Sequence, residues 1–478
     1  MFQLQFGFKT GTFVSFLVIL AAYFYKRQTN DSDVLRNRLN NVLSGLLRAE
    51  RQVALGSEPK VAVGFGACLD VIGDAVDVLE KLGARSPDLP EHFNELESQE
   101  DLEKVFAYFF RHGAAAERYI KNITLFMHLV QATRDVKNSR EKLGGNAPMM
   151  ATRFHMEGCK VLLGGKLSQQ LRKQIAPEIL VAGGDVETDD IHVALEYKKG
   201  DVWGNYVTPR SNRFFFHNDH NNPFLTSLEQ FSQDVALFAP ALLVIGGLQM
   251  LDNFPFTKGK RRSRLRKLHG LLTSTPRETR IHFEMASFAE QECLEEVVDS
   301  VVRHVDSLGM NEQELPNLHG VLTNGSITLI SDAYPRIATT LDHMRAVYSI
   351  LSRPADGQHG LTRLHVHTLA YQAIMTAKSS AWKHSMSAAA KAALTANRYT
   401  CGSDYIEAEK ARILMDQSFS TSHVKGSKRI HFEPNNPVSC WDEPGVEICV
   451  APVLVCTKVV QTGGGGDNVS SAGLVLQI

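Results

Sequence analysis

From Lys60 onward, short apolar runs rich in β-branched residues alternate with longer amphipathic stretches, and no other feature constrains the fold of this chain as strongly. The strand-like runs are KVAVGFG (60–66), KVLLGG (160–165), HVALEY (192–197), PALLVIGGL (240–248), RIHFEMAS (280–287), RLHVHTL (363–369) and PVLVC (452–456). Between them, 292–308, 336–351 and 380–397 carry apolar residues at helical spacing. Strands alternating with helices mean βαβ units and a doubly wound, mostly parallel α/β sheet. Such connections are right-handed and gather ligands at the carboxyl ends of the strands. Residues 60–478 are read as one unit, with a smaller lid drawn mainly from its first half.

A chain of 478 residues, 44% hydrophobic and 22% charged, can bury a core of that size. Its 51 Lys plus Arg nearly cancel 52 Asp plus Glu, so bulk charge points to neither nucleic acid nor an acidic membrane. The basic run 258–267 (KGKRRSRLRK) reads as the solvated start of a helix. Residues 1–27 differ in character. Thr10 to Tyr25 is uncharged and apolar but shorter than the ~20 residues that span a bilayer comfortably. It is expected to be a signal or anchor that sends the chain into the secretory pathway, to the endoplasmic reticulum, lumenal or membrane-anchored. Membrane association is expected through this segment alone, and the protein is expected to be a monomer. Residues 28–59 read as a linker followed by a helix. Seven cysteines without a CxxC pair argue against a structural zinc site and a disulfide-dense scaffold, leaving room for one disulfide in a lumenal setting. Asn-x-Ser/Thr sequences stand at Asn30, Asn122, Asn324 and Asn468, and such triplets are common by chance.

The sharpest chemical signal is near the C-terminus, in Thr462-Gly463-Gly464-Gly465-Gly466-Asp467. A glycine run that opens a helix leaves backbone N–H groups unpaired, and the helix dipole adds partial positive charge there, so the spot suits an anion. A phosphoryl group over Gly464, Gly465 and Gly466 would place Asp467 beside an incoming hydroxyl, supplying both charge stabilisation and a base. The same run is equally readable as a flexible linker near a chain end. No Walker A sequence and neither HRD nor DFG occurs, which excludes P-loop and protein-kinase phosphoryl transfer.

Several segments occur in one order: AVGFGACLDVI (62–72), GAAAER (113–118), GGNA (144–147), SNRF (211–214), HFE (282–284), GMNEQEL (309–315), HVHTL (365–369) and the terminal GGGD. Together they resemble the ADP-dependent glucokinase family, animal branch, within the ribokinase-like superfamily. The resemblance implies a ribokinase-like fold with a lid, and a kinase that moves the terminal phosphoryl of ADP to the 6-hydroxyl of glucose. Carried onto this sequence, it implies Gly464 and Gly466 as the anion hole and Asp467 as base and metal neighbour. It implies Asp70, Glu117, Gly145 and Asn146 on glucose, and Arg213 with Gly465 on the nucleotide phosphates. His282 with Glu284, and Asn311 with Glu314, match motifs that act on one Mg²⁺, the glutamates reaching it largely through water. Cys401 with Cys456 is the disulfide that the resemblance and the lumenal setting suggest. Where the family often shows Asn-Ala-Cys-x-Asp, this chain has Gly66-Ala67-Cys68-Leu69-Asp70, so one side-chain amide beside the sugar is missing.

Taken singly, each of these residues has a plainer reading. Asp70 is readable as a helix cap, His282 and Glu284 as a solvent-facing pair, Glu314 as first-turn capping and Asn146 as a turn residue. His365 and His367 share a strand face but have no third ligand in range. Two other functions stay open: an ATP-dependent kinase of another sugar or nucleoside, and a non-catalytic lumenal protein that binds nucleotide or sugar.

Overall fold

A computed structural model describes residues 17–20, 33–54, 58–330, 332–353 and 359–478. Most of the expected signal or anchor segment lies outside them. No helix among the described residues is long and apolar enough to cross a membrane. The first long helix, 33–50, sets Leu39, Val42, Leu46 and Ala49 into the largest apolar cluster.

Ten strands form the main sheet. Seven run parallel, in the order Leu180–Ala182, Lys160–Gly164, Lys60–Gly64, Leu242–Ile245, Arg280–Glu284, Ser307–Asn311 and Arg363–His367. The central ones are buried on consecutive positions rather than alternate ones, as strands with helices on both faces must be. Three antiparallel strands, Tyr371–Ala377, Val446–Pro452 and Ser439–Glu443, complete one edge. The mostly parallel α/β expectation therefore holds.

One stretch differs from its sequence pattern. Residues 292–308 read as a single helix, but the helix Gln291–Ser300 gives way to a short 3₁₀ turn and then to the strand Ser307–Asn311. The cause is tertiary: that strand pairs with a parallel neighbour on each side, and its first four residues are fully buried. Basic residues 260–267 do open a helix, Lys260–Ser274, but they are not all solvated. Arg261 pairs with Glu290 and Glu296, and buried Arg264 with Glu229.

A second, five-stranded sheet has the order Ala116–Tyr119, Asn212–His217, Ile191–Tyr197, Cys68–Asp74, Arg140–Gly144. One face packs Val193, Leu195, Phe214 and Phe216 against the helices Ala75–Leu82, Gln99–Phe110 and Ile123–Asp135. The register aligns Tyr119, His217, His192, Asp70 and Lys142 in one row across the five strands. Alternation along each strand sends these polar residues to the face opposite the core.

Cys401 and Cys456 are bonded, and a second disulfide joins Cys440 to Cys449 across neighbouring antiparallel strands. Cross-linking restricts the unfolded chain more as the closed loop lengthens. The Cys401→Ala/Cys456→Ala variant, which opens the loop of separation 55, should lose about 4 kcal/mol in urea unfolding. Opening the loop of separation 9 with Cys440→Ala/Cys449→Ala should cost about 2.5 kcal/mol. The reverse ranking would show that loop closure is not how these bonds act.

Candidate active site

A cleft of about 600 Å³ opens between the polar face of the small sheet and the carboxyl ends of the main-sheet strands. It is lined by Asp70, Glu117, Gly145, Asn146, Arg213, Glu284, Asn311, Glu314, Gly464, Gly465, Gly466 and Asp467, which thus meet in one place, while His282 is buried behind Glu284.

The glycine run opens the helix Gly465–Val475, with Gly464 just before it at φ 77°, a conformation that L side chains rarely adopt. A Cβ at Gly466 would lie 3.0 Å from His367 Cε1, so the helix start and that histidine can approach only because the side chain is missing. Tyr399 Oη donates to the Gly463 carbonyl, and Thr462 Oγ1 is buried without a partner. The linker reading of this run is excluded, because Asp467 to Val475 is buried without interruption.

Asp467 is only 8% exposed, and Asn146 Nδ2 donates to its Oδ1 at 2.9 Å. Asn146 Oδ1 in turn accepts from Gln249 Nε2 at 2.8 Å, and Gln249 Oε1 is left buried without a partner. Burial, with the nearby charge of Glu284, pushes the Asp467 carboxyl up to about 7. Such a group is poised as a base near neutral pH.

Glu284 is 3% exposed and accepts from three side chains: His282 Nε2 at 3.0 Å, His367 Nε2 at 3.2 Å and Ser470 Oγ at 2.9 Å. Behind it, Arg363 donates to Ser307 Oγ, and Ser307 lies 2.8 Å from His282 Nδ1, which fixes the tautomer that gives Nε2–H to Glu284. Burial would raise Glu284, but the hydrogen bonds and charge of His282 and His367 outweigh it and hold the carboxyl at about 2. The solvent-facing reading of His282 and Glu284 thus fails.

The capping reading of Glu314 holds beside the functional one. Asn311 Oδ1 accepts the Gln313 and Glu314 amides, while Glu314 accepts the Asn311 amide at 2.8 Å and its Nδ2 at 2.7 Å. This reciprocal box starts the helix Glu314–Thr323 and aims the carboxylate into the cleft. Burial, with Glu284 and Glu312 adding charge, pushes Glu314 up to about 7.

These carboxylates fit a Mg²⁺ ion that keeps its waters. They offer hard oxygen donors, and two of them are driven toward the neutral form by burial and mutual charge. Their oxygens are not gathered as a direct three-ligand cage: the described residues hold two trios with donor atoms within 4.8 Å of one another, and neither contains Glu284, Glu314 or Asp467.

Arg213 approaches from the small sheet. Its Nε is buried without a partner, and NH1 reaches only Asn212 Oδ1, at 3.3 Å, so donors remain for an anion. Asp70 is buried, and burial raises its carboxyl. It does not cap a helix; Asp74 does so instead, accepting from the Val76 and Asp77 amides. Gly144 admits it, since a Cβ there would overlap the Asp70 carboxylate. His365 turns into the core against Gly473 and meets Gln372, whereas His367 faces the cleft. Asn468 is buried and bonded to Arg153 and to the Gly464 carbonyl, so its triplet is no glycan acceptor. Sequence reasoning missed His192, Gln249 and Tyr399. His367 enters it only with His365, as a metal pair set aside for want of a third ligand, and Thr462 only within the glycine motif, without a role.

A parallel sheet with a smaller sheet across its carboxyl ends, and a glycine-opened helix bearing a buried Asp, fit a phosphoryl-transferring kinase. Residues 59–476 match the conserved region of ADP-specific phosphofructokinases and glucokinases, and the chain belongs to that family. Among its relatives, the ADP-dependent glucokinase of Bos taurus is 32% identical over 419 residues, 87% of this chain and 84% of the relative. The probable ADP-dependent glucokinase of Caenorhabditis elegans is 31% identical over 434 residues, with the same coverage of both chains. The solved structure of an ADP-dependent kinase in complex with fructose-6-phosphate and ADPβS matches with a TM-score of 0.65. It is 17% identical and covers 92% of this chain and 97% of its own. At that identity the likeness concerns the fold alone.

Proposed function

We propose that this chain is an ADP-dependent glucokinase, which transfers the terminal phosphoryl of ADP to the 6-hydroxyl of D-glucose and gives glucose 6-phosphate and AMP. The observation that carries the reading is the 2.9 Å hydrogen bond from Asn146 to Asp467, which ties the base of the anion-binding helix to the sugar wall. Asp70, Glu117 and the Gly145–Asn146 turn present carboxylate, amide and backbone groups to a polyol. Gln249, with its unpartnered Oε1, offers the amide that Gly66 cannot. Asp467 takes the proton of the 6-hydroxyl as its oxygen attacks the β-phosphorus. The bond from that phosphorus to the bridging oxygen breaks, and AMP leaves. The amides of Gly464 and Gly466 and the Arg213 guanidinium hold the phosphoryl oxygens where negative charge develops, whereas the Gly465 amide donates to the Thr462 carbonyl at 3.2 Å. Glu284 and Glu314 would hold a Mg²⁺ ion, which would supply positive charge to the phosphate oxygens. Leu369, Val453, Val455 and Val459 line an apolar part of the cleft suited to the adenine.

The choice of ADP rests on the family and its relatives. The paired cysteines and the apolar N-terminal sequence support residence in the lumen of the endoplasmic reticulum, with that segment as signal or anchor. We take the working unit to be a monomer, since one chain supplies every residue used here.

The test is glucose 6-phosphate formation with Mg²⁺ and either ADP or ATP. Turnover with ADP and little with ATP is expected. Turnover with ATP alone would overturn the donor assignment, and product from another sugar only would overturn the acceptor. Nucleotide binding without turnover in folded protein would favour a non-catalytic role.

A further inference from the structure

We propose that Cys68, Asp70 and His192, with Glu117 on the fourth side, form a binding site for a thiophilic divalent cation of the Zn²⁺ type, and that its occupation excludes the sugar. Metal binding stands on the geometry alone, whereas exclusion of glucose rests on the reading of Asp70 as a sugar ligand.

The donor atoms of Cys68, Asp70 and His192 all lie within 4.8 Å of one another, and all three residues are buried. Cys68 Sγ is 3.4 Å from Asp70 Oδ1, close to the edge of about 3.5 Å that tetrahedral zinc gives a thiolate–carboxylate pair. His192 Nδ1 is 3.6 Å from Glu117 Oε1, a second edge of similar length. Thiolate, imidazole and carboxylate are the donor types that zinc prefers.

The histidine is already oriented as a ligand. Its Nε2 lies 3.0 Å from both oxygens of Asp219, which is fully buried and also accepts from Asn222 Nδ2 at 2.6 Å. A metal-binding imidazole ordinarily gives its other ring N–H to such a carboxylate, which sets the tautomer and strengthens the ligand. Nδ1 is thereby left to face the other donors. Asp219 also belongs to a second trio with His192 and His217, but its oxygens are occupied by these donors, so it supports the site rather than ligating. Asp70, Glu117 and His192 line the cleft, which provides the route in. As the cation binds, the Cys68 S–H bond breaks, a sulfur–metal bond forms and the proton goes to solvent with any proton on Nδ1.

Co²⁺ titrated into the full chain, without nucleotide or sugar, tests the site directly. A thiolate-to-cobalt charge-transfer band should rise to one equivalent, be bleached by Zn²⁺ and be lost on adding glucose. Cys68→Ala should abolish the band, while Cys159→Ala and Cys293→Ala, at the other buried free thiols, should keep it. Asp219→Asn should weaken Co²⁺ binding by about 10- to 100-fold. In the presence of saturating Mg²⁺ and ADP, Zn²⁺ should inhibit competitively with glucose. Cys68→Ala should be at least about tenfold less sensitive, with inhibition in each protein referred to its own uninhibited rate. A band that survives Cys68→Ala, or inhibition indifferent to glucose and to Cys68, overturns the proposal. Cys68→Ser takes the place of the alanine variant if that fails to fold. A chain without glucokinase activity would still show or lack the cobalt band, which separates this site from the enzymatic reading.

Discussion

Asp467→Asn is expected to lower kcat for glucose phosphorylation by about 10²- to 10⁴-fold, with little change in the affinity for ADP. The substitution is nearly isosteric, and an amide oxygen can still accept from Asn146 Nδ2, so positioning survives and only the base is lost. For the wild type, kcat/KM should climb with pH until the carboxyl, raised to about 7, is ionised, and then level off. The same variant should be more stable. The folded pKa of Asp467 lies above its unfolded value, so ionisation favours the unfolded chain. This group therefore weakens the fold progressively as pH rises from about 4 to about 7, by on the order of 4 kcal/mol in all. The Tm advantage of Asp467→Asn should grow over that window and stay constant above it. An inactive variant with the wild type's Tm at every pH would leave the base unproved, because the carboxyl would then carry no burial cost.

Glu284→Ala should cost about 3 to 5 kcal/mol of unfolding free energy at pH 7, because it strips a buried acceptor from His282, His367 and Ser470. Here the sign is opposite to that of Asp467. Glu284 is held at about 2 in the folded protein, below its ordinary 4.5, so its contribution is fully present above the unfolded pKa. It disappears as pH falls from about 4.5 through about 2, and amounts to roughly 3 kcal/mol. Urea unfolding of wild type and variant at pH 7 and pH 3.5 reads this directly, and the gap should narrow in acid. An equal gap at both values would assign the loss to packing rather than charge. Activity should fall as well, since the same network sets His367 against Gly466 and supports the helix that carries Asp467.

Each of the seven strand-like runs contains or overlaps a strand, because an apolar run of that length bounded by turns is a local pattern. Ser307–Asn311 was hidden in a helical period, because burial between two parallel neighbours decided its conformation. Tyr371–Ala377 and Val446–Pro452, which turn antiparallel at the sheet edge, left no such mark, since strand direction is a matter of partner and not of side chain. Among the site residues, the motif order sufficed to bring Asp70, Asn146, Glu284 and Asp467 into one group. It did not show that Asn146 bonds Asp467, that Glu314 is both helix cap and cleft carboxylate, or that Gln249 stands where Gly66 leaves no amide.

The sequence by itself determined the alternation of elements, since periodicity acts within a few residues. That Gly464–Asp467 opens a helix rather than a linker was decided by the burial of Asp467 to Val475. Only the tertiary structure decided which carboxylates are charged. Burial pushes Asp467 and Glu314 up while His282 and His367 hold Glu284 down, and desolvation and partners are made by packing. It likewise decided that Cys68, Glu117, His192 and Asp219 meet around Asp70. Strand register across a sheet joins residues that no spacing along the chain relates.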